Sequence, residues 1–162
     1  MEFIYNDGGR KAAGYTGHAG DCVVRAIAIA TETPYQQVYD AINEAAQSER
    51  RGKRKRGKST ARNGVYKGTY RKYLAALGWT FTPTMSIGSG CKVHLHEGEV
   101  PATGRLIVVV SKHLTALVDN TINDTHDPRR EGHRMDFDAA TGKKTFSISR
   151  RCVYGYFQKG TP

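Results

Sequence analysis

"GDCVVRAIAIAT", residues 20–31, decides how the rest of the chain is read. Good helix formers follow Asp21 without a break, so a helix starts there, and its apolar content marks it as buried. Cys22 then stands in the first turn, where backbone N–H groups without intrahelical acceptors and the helix dipole favour negative charge. Such a position lowers a thiol pKa and suits a nucleophilic thiolate. The plainer reading of Cys22 is a small apolar side chain that packs the start of a core helix. What separates the two is whether the chain supplies a base.

Outward from this helix, "TETPYQQVYDAINEAAQ", residues 31–47, predicts a second one, with Thr33 as its cap, Pro34 in its first position and Tyr35, Val38, Tyr39, Ile42 and Ala46 at helical spacing. "GVYKGTYRKYLAALGW", residues 64–79, predicts a third: Tyr66, Tyr70, Tyr73, Leu74 and Leu77 form one stripe, and Gly78 stops it. No element is evident before residue 20. From Trp79 the pattern turns extended. "GWTFTPTM", "RLIVVVSK", "TFSISR" and "CVYGYF" read as strands, and "PRREGHRMDFDAATGKK", residues 128–144, reads as a charged loop. Helices followed by antiparallel strands make an α+β fold, and 162 residues suit a single domain spanning 1–162.

The net charge of +10 is local. Residues 48–73 hold eleven of the 25 Lys and Arg and one of the 15 acids, so the remainder is balanced at fourteen of each. "ERRGKRKRGKSTARNG", residues 49–64, is poor in apolar side chains and predicts a flexible basic loop at about 48–64. Arg50, Arg51, Lys53, Arg54, Lys55, Arg56 and Lys58 could dock on nucleic acid or an acidic host protein. A non-catalytic binding module built around that loop is the alternative to an enzyme. No apolar run is long enough for a membrane span and no secretory signal is recognisable, so a cytoplasmic location without membrane partners is expected. Cys22, Cys91 and Cys152 are odd in number and widely spaced, which predicts reduced thiols.

The base is offered by "HLTALVDNTINDTHDP", residues 113–128, which reads as a hairpin. With Asp119 and Asn120 as its turn, Val118 pairs with Thr121 and His113 falls opposite His126. Asp124 then lies diagonally across from His113 on the same face, within reach of an imidazole N–H. A slip of one residue would turn Asp124 away, and Asp127 is the other choice of third member. The Cys22 N–H would be one oxyanion donor, and a side-chain donor would come from Thr16 or His18, with His18 favoured because small residues surround it. "CKVHLH", residues 91–96, places His94 and His96 on one strand face as a weaker idea of a metal-dependent hydrolase, but matches no common zinc spacing. No metal and no cofactor are expected.

"GDCVVRAIAIAT…PYQQVYDAI", "YRKYLAALGW", "PTMSIGSGCKVHL", "GRLIVVVSKHLTALVDNTINDTHDP" and "RCVYGYF" together resemble a family of small phage and prophage proteins similar in layout to papain-like cysteine peptidases. The resemblance runs from about Gly17 to Phe157. It implies a papain-like fold, N-terminal helices packed on a C-terminal antiparallel sheet, with a Cys22, His113 and Asp124 triad. The function it implies is cysteine-dependent hydrolysis, as a peptidase, isopeptidase or amidase-like acyl transferase acting on a protein or small amide in the host cytoplasm. The "CGSCW" signature of papain is absent, and Thr16 stands where those enzymes place a glutamine.

Overall fold

The computed structural model describes residues 1–50, 57–130, 132–138 and 140–160. The chain runs β1 (Glu2–Tyr5), α1 (Cys22–Thr31), α2 (Tyr35–Gln47), α3 (Lys67–Ala76), β2 (Trp79–Pro83), β3 (Arg105–Val110), β4 (His113–Val118), β5 (Thr121–Asp124), β6 (Gly132–Phe137), β7 (Lys144–Ser149) and β8 (Val153–Lys159). These elements make an α+β architecture. Its centre is a six-stranded mixed sheet of order β1-β5-β4-β3-β8-β2, and β6 and β7 form a separate two-stranded sheet.

β3 is apolar and buried from Leu106 to Val110 because both its faces are covered there, as continuous β-branched runs require. Ile107 and Val109 join a core with Val24, Ile27, Val38, Leu74 and Phe157, beneath the helices. Leu106, Val108 and Val110 join a second core with Leu95, Leu117, Ile122 and Val153. Helix α1 packs on β4 and β3, with α2 against it, which fixes the N-terminus of α1 over the start of β4.

Several sequence expectations need correction. Glu2–Tyr5 is a strand and pairs parallel with β5, so the sheet is mixed rather than antiparallel; four residues are too few to show a period. The loop expected over 128–144 contains β6, which pairs with β7 and leaves Met135, Phe137, Phe146 and Ile148 exposed. Pro34, not Thr33, is the N-cap of α2, and the Thr33 hydroxyl accepts from Thr31 instead. Leu77 falls beyond the end of α3 and is exposed, so the tyrosine stripe is shorter than its spacing suggests. Cys91 and Cys152 are disulfide-bonded with Cα atoms 5.9 Å apart, which overturns the expectation of three reduced thiols; a 61-residue separation hides such a pairing from local pattern. Among the described residues, no helix is long and apolar enough to cross a membrane.

Candidate functional site

Helix α1 begins at Cys22, with Asp21 as a cap residue that makes no side-chain cap. The Asp21 carboxylate turns inward. It accepts from Arg25 Nε at 3.0 Å and from the Tyr35 hydroxyl at 2.7 Å, and pairs with Arg10 Nε at 3.1 Å. Burial and that carboxylate raise the Tyr35 pKa, which keeps its hydroxyl a donor. With the cap's side chain engaged elsewhere, the first N–H groups of α1 remain open beside the thiol.

The β4–β5 hairpin has the register its sequence predicts. Val118 pairs with Thr121, Leu117 with Ile122 and Ala116 with Asn123, around Asp119 and Asn120, whose φ angles are 44° and 61°. Positive φ at both turn residues is what a tight two-residue hairpin demands. Continued outward, this register sets His113 opposite His126, and their ring centroids are 4.9 Å apart. Asp124 lies on the same side, with its Oδ2 2.6 Å from His113 Nε2.

Since Nε2 meets Asp124, Nδ1 is left for the thiol. The Cys22 thiol faces His113 and the Leu114 backbone, and both act on its acidity. Burial works against a thiolate there, but the His113 hydrogen bond, the Leu114 N–H and the charges of His113 and Arg25 outweigh it and lower the Cys22 pKa. Burial likewise opposes an imidazolium, yet the hydrogen bonds of Asp124 and Cys22 and their charges push His113 up to about 9. Asp124, only 3% exposed, is held below the usual carboxylate range against its burial by His113, Arg25 and the Thr125 N–H. Both shifts run toward a thiolate–imidazolium pair backed by a carboxylate.

Arg25 is the functional residue that the sequence reading passed over. Its guanidinium is buried between the two carboxylates, donating through Nε to Asp21 and through Nη1 to Asp124 at 2.8 Å and to Thr125 Oγ1 at 2.6 Å. It ties the start of α1 to the end of β5. The signal was present: one arginine inside "CVVRAIAIA", four residues after an aspartate, needs a buried partner.

The thiol opens on a cleft of ≈ 610 Å³ whose walls include His18, Asn63, Tyr70, Lys112, His126 and Tyr154. Gly155 positions Tyr154: β8 bulges where it pairs with Val109 and Val110, and a Cβ on Gly155, at φ 149°, would stand 2.4 Å from Phe81 Cζ and 2.6 Å from Thr82 O. His18, the favoured oxyanion donor, stands on the wall of this cleft. Thr16 does not line it, and its carbonyl is instead taken by Arg10 at 3.2 Å and Arg62 at 3.3 Å. Asp127 is also displaced from the role considered for it, because its carboxylate is gripped by Arg129 through Nε at 3.0 Å and Nη2 at 2.6 Å.

Of the basic loop, Arg51, Lys53, Arg54, Lys55 and Arg56 lie outside the described residues. Lys58 donates to the Gln47 carbonyl at 2.8 Å, and Arg50 lines a surface cleft with Lys72 and Tyr73. Glu49 fastens the loop's base by accepting from the Ser59 N–H and the Ser59 and Thr69 hydroxyls.

For a metal, the His94 and His96 idea finds no support: His94 Nδ1 is 2.9 Å from Glu99 and Cys91 is in the disulfide. Among the described residues, the one group that could ligate an ion is His113, Asp124 and His126, with one donor atom each within 4.8 Å of the others. That group takes in both His113 and Asp124, so an ion there would compete with the thiol for its base. Comparison of the chain with protein-family models, curated proteins and solved structures gives no match.

Proposed function

We propose that this protein is a cysteine-dependent hydrolase of papain-like fold, acting by acyl transfer on a peptide, isopeptide or small amide. The observation that carries this is the convergence of Cys22, His113 and Asp124, with the thiol pKa lowered by His113 and His113 Nε2 2.6 Å from Asp124 Oδ2, at the start of a helix and facing a substrate-sized cleft. A thiol-bearing helix packed on a sheet whose adjacent strands carry the histidine and the carboxylate is also the layout of the papain-like proteins the sequence resembles.

The thiolate of Cys22 attacks the carbonyl carbon, forming the S–C bond as the C=O π electrons move to oxygen. The N–H groups at the start of α1 would meet that oxyanion, with His18 on the cleft wall as the side-chain donor. Collapse of the tetrahedral species breaks the C–N bond while imidazolium His113 gives its proton to the departing amine. Neutral His113 then takes a proton from water as the water attacks the thioester, and the acid leaves with Cys22 again as thiolate. Asp124 keeps Nε2 of the ring fixed throughout, and Arg25 keeps Asp124 ionised and in place.

The test is the pH dependence of Cys22 alkylation by iodoacetamide, with and without His113→Ala. Fast reaction that persists below about pH 7 and disappears in the variant is the expected result. Reaction at the rate of an ordinary thiol in both proteins overturns the proposal.

A further inference from the structure

Adjoining the thiol cleft lies a second one, of ≈ 420 Å³, lined by Ser111, Lys112, His113, His126, Asp127, Pro128, Arg130 and Arg151. Its charge is one-sided. Lys112, Arg130 and Arg151 face it, and the one carboxylate on its wall, Asp127, is already neutralised by the two-pronged grip of Arg129. Lys112 and Arg130 have no hydrogen-bond or ion-pair partner among the described residues. Arg151 donates through Nη2 to the Ser111 carbonyl at 2.5 Å, while its buried Nε has no acceptor. Burial and the charge of Arg130 both work against the Arg151 cation, and Tyr154 offsets them only in part. Like charges gathered around a concavity, with a buried donor left unmet, lack an anion.

This cleft shares Lys112, His113 and His126 with the thiol cleft, so a group seated in it lies beside whatever Cys22 attacks. Resting on the hydrolase reading above, we propose that the cleft of Lys112, Arg130 and Arg151 binds an oxyanion, carboxylate or phosphate, carried by the substrate next to its scissile carbonyl. The site thereby selects acidic substrates, with arginines meeting the two oxygens of the anion in the forked geometry they favour. The position of Lys112 is set by the tight β3–β4 turn, where its φ is 56°, so this cation is held on backbone pinned at both ends by strands.

Two alkylating reagents with the same leaving group read the charge of the site: anionic iodoacetate and neutral iodoacetamide. Their rate ratio at Cys22 cancels changes in thiolate content. In a K112Q/R130Q variant the iodoacetate-to-iodoacetamide ratio is expected to fall roughly 5- to 10-fold at low salt. An unchanged ratio overturns the proposal. Should iodoacetamide show Cys22 to be an ordinary thiol, it is the hydrolase reading that fails, and the anion site is then decided on its own by titrating the protein with inorganic phosphate and, separately, with acetate while following the His126 ring signals by NMR. Saturable shifts abolished in K112Q/R130Q support the site, and the tighter of the two ions tells phosphate from carboxylate. Shifts that never saturate in the wild type overturn it.

Discussion

Replacing Asp124 with asparagine keeps the shape of the triad and removes its charge. In the wild type the carboxylate accepts from His113 Nε2 at 2.6 Å, from Arg25 Nη1 at 2.8 Å and from the Thr125 N–H at 2.7 Å, and it is almost wholly buried. His113 stands at about 9 against an ordinary 6.5. At ~1.4 kcal/mol per unit, that rise is worth about 3 kcal/mol in favour of the imidazolium, shared between Asp124 and Cys22 after burial has been offset. The thiolate depends on that imidazolium, so Asp124→Asn weakens both ends of the pair. The Cys22 pKa, lowered in the wild type, moves back up, and the acid limb of the alkylation profile shifts to higher pH by about one to two units. At pH 6 the iodoacetamide rate falls roughly tenfold or more. The same substitution leaves the buried Arg25 with one carboxylate instead of two, which costs about 3 kcal/mol of stability, so circular dichroism and guanidinium unfolding accompany the kinetics. A folded Asp124→Asn protein whose alkylation profile superimposes on that of the wild type would refute the idea that the carboxylate sustains the ion pair.

Three further outcomes are expected. In Cys22→Ala, His113 keeps a raised pKa through Asp124, so stability is fully present below about pH 6.5 and falls as the pH rises through the folded value; in the wild type the lowered Cys22 pKa offsets this, and guanidinium midpoints measured from pH 6.5 to 9 stay flatter than those of the variant. Gly155→Ala sets a Cβ against Phe81 and Thr82 and lowers unfolding stability by about 2 kcal/mol or more, with Tyr154 displaced from the cleft. Reducing the Cys91–Cys152 bridge frees a 61-residue loop and costs roughly 4 kcal/mol by loop entropy, read as a drop in the unfolding midpoint; without reductant, peptide mass spectrometry finds Cys22 alkylated and Cys91 and Cys152 not.

The sequence by itself determined the elements whose signals are local. An unbroken run of helix formers after Asp21 placed the start of α1 at Cys22, and a two-residue turn at Asp119 and Asn120 fixed the hairpin register that sets His113 beside Asp124. Register follows from two turn residues and a period of two, so it needs no knowledge of the rest of the chain. What lay beyond its reach depended on partners distant in sequence. Four residues at the N-terminus become a strand only because β5 offers an edge, and Cys91 meets Cys152 only because the segment before β3 folds onto the start of β8, with His94 bridged to Cys152. Arg25 reads as an oddity in an apolar helix until folding supplies Asp124, 99 residues away. Thr16 and Asp127 stood at suitable positions along the chain, but Thr16 does not line the thiol cleft and the Asp127 carboxylate is claimed by Arg129. Tertiary structure alone decided which polar groups are buried together, because a buried charge is tolerable only where its counter-charge arrives, and that is settled by packing rather than by spacing.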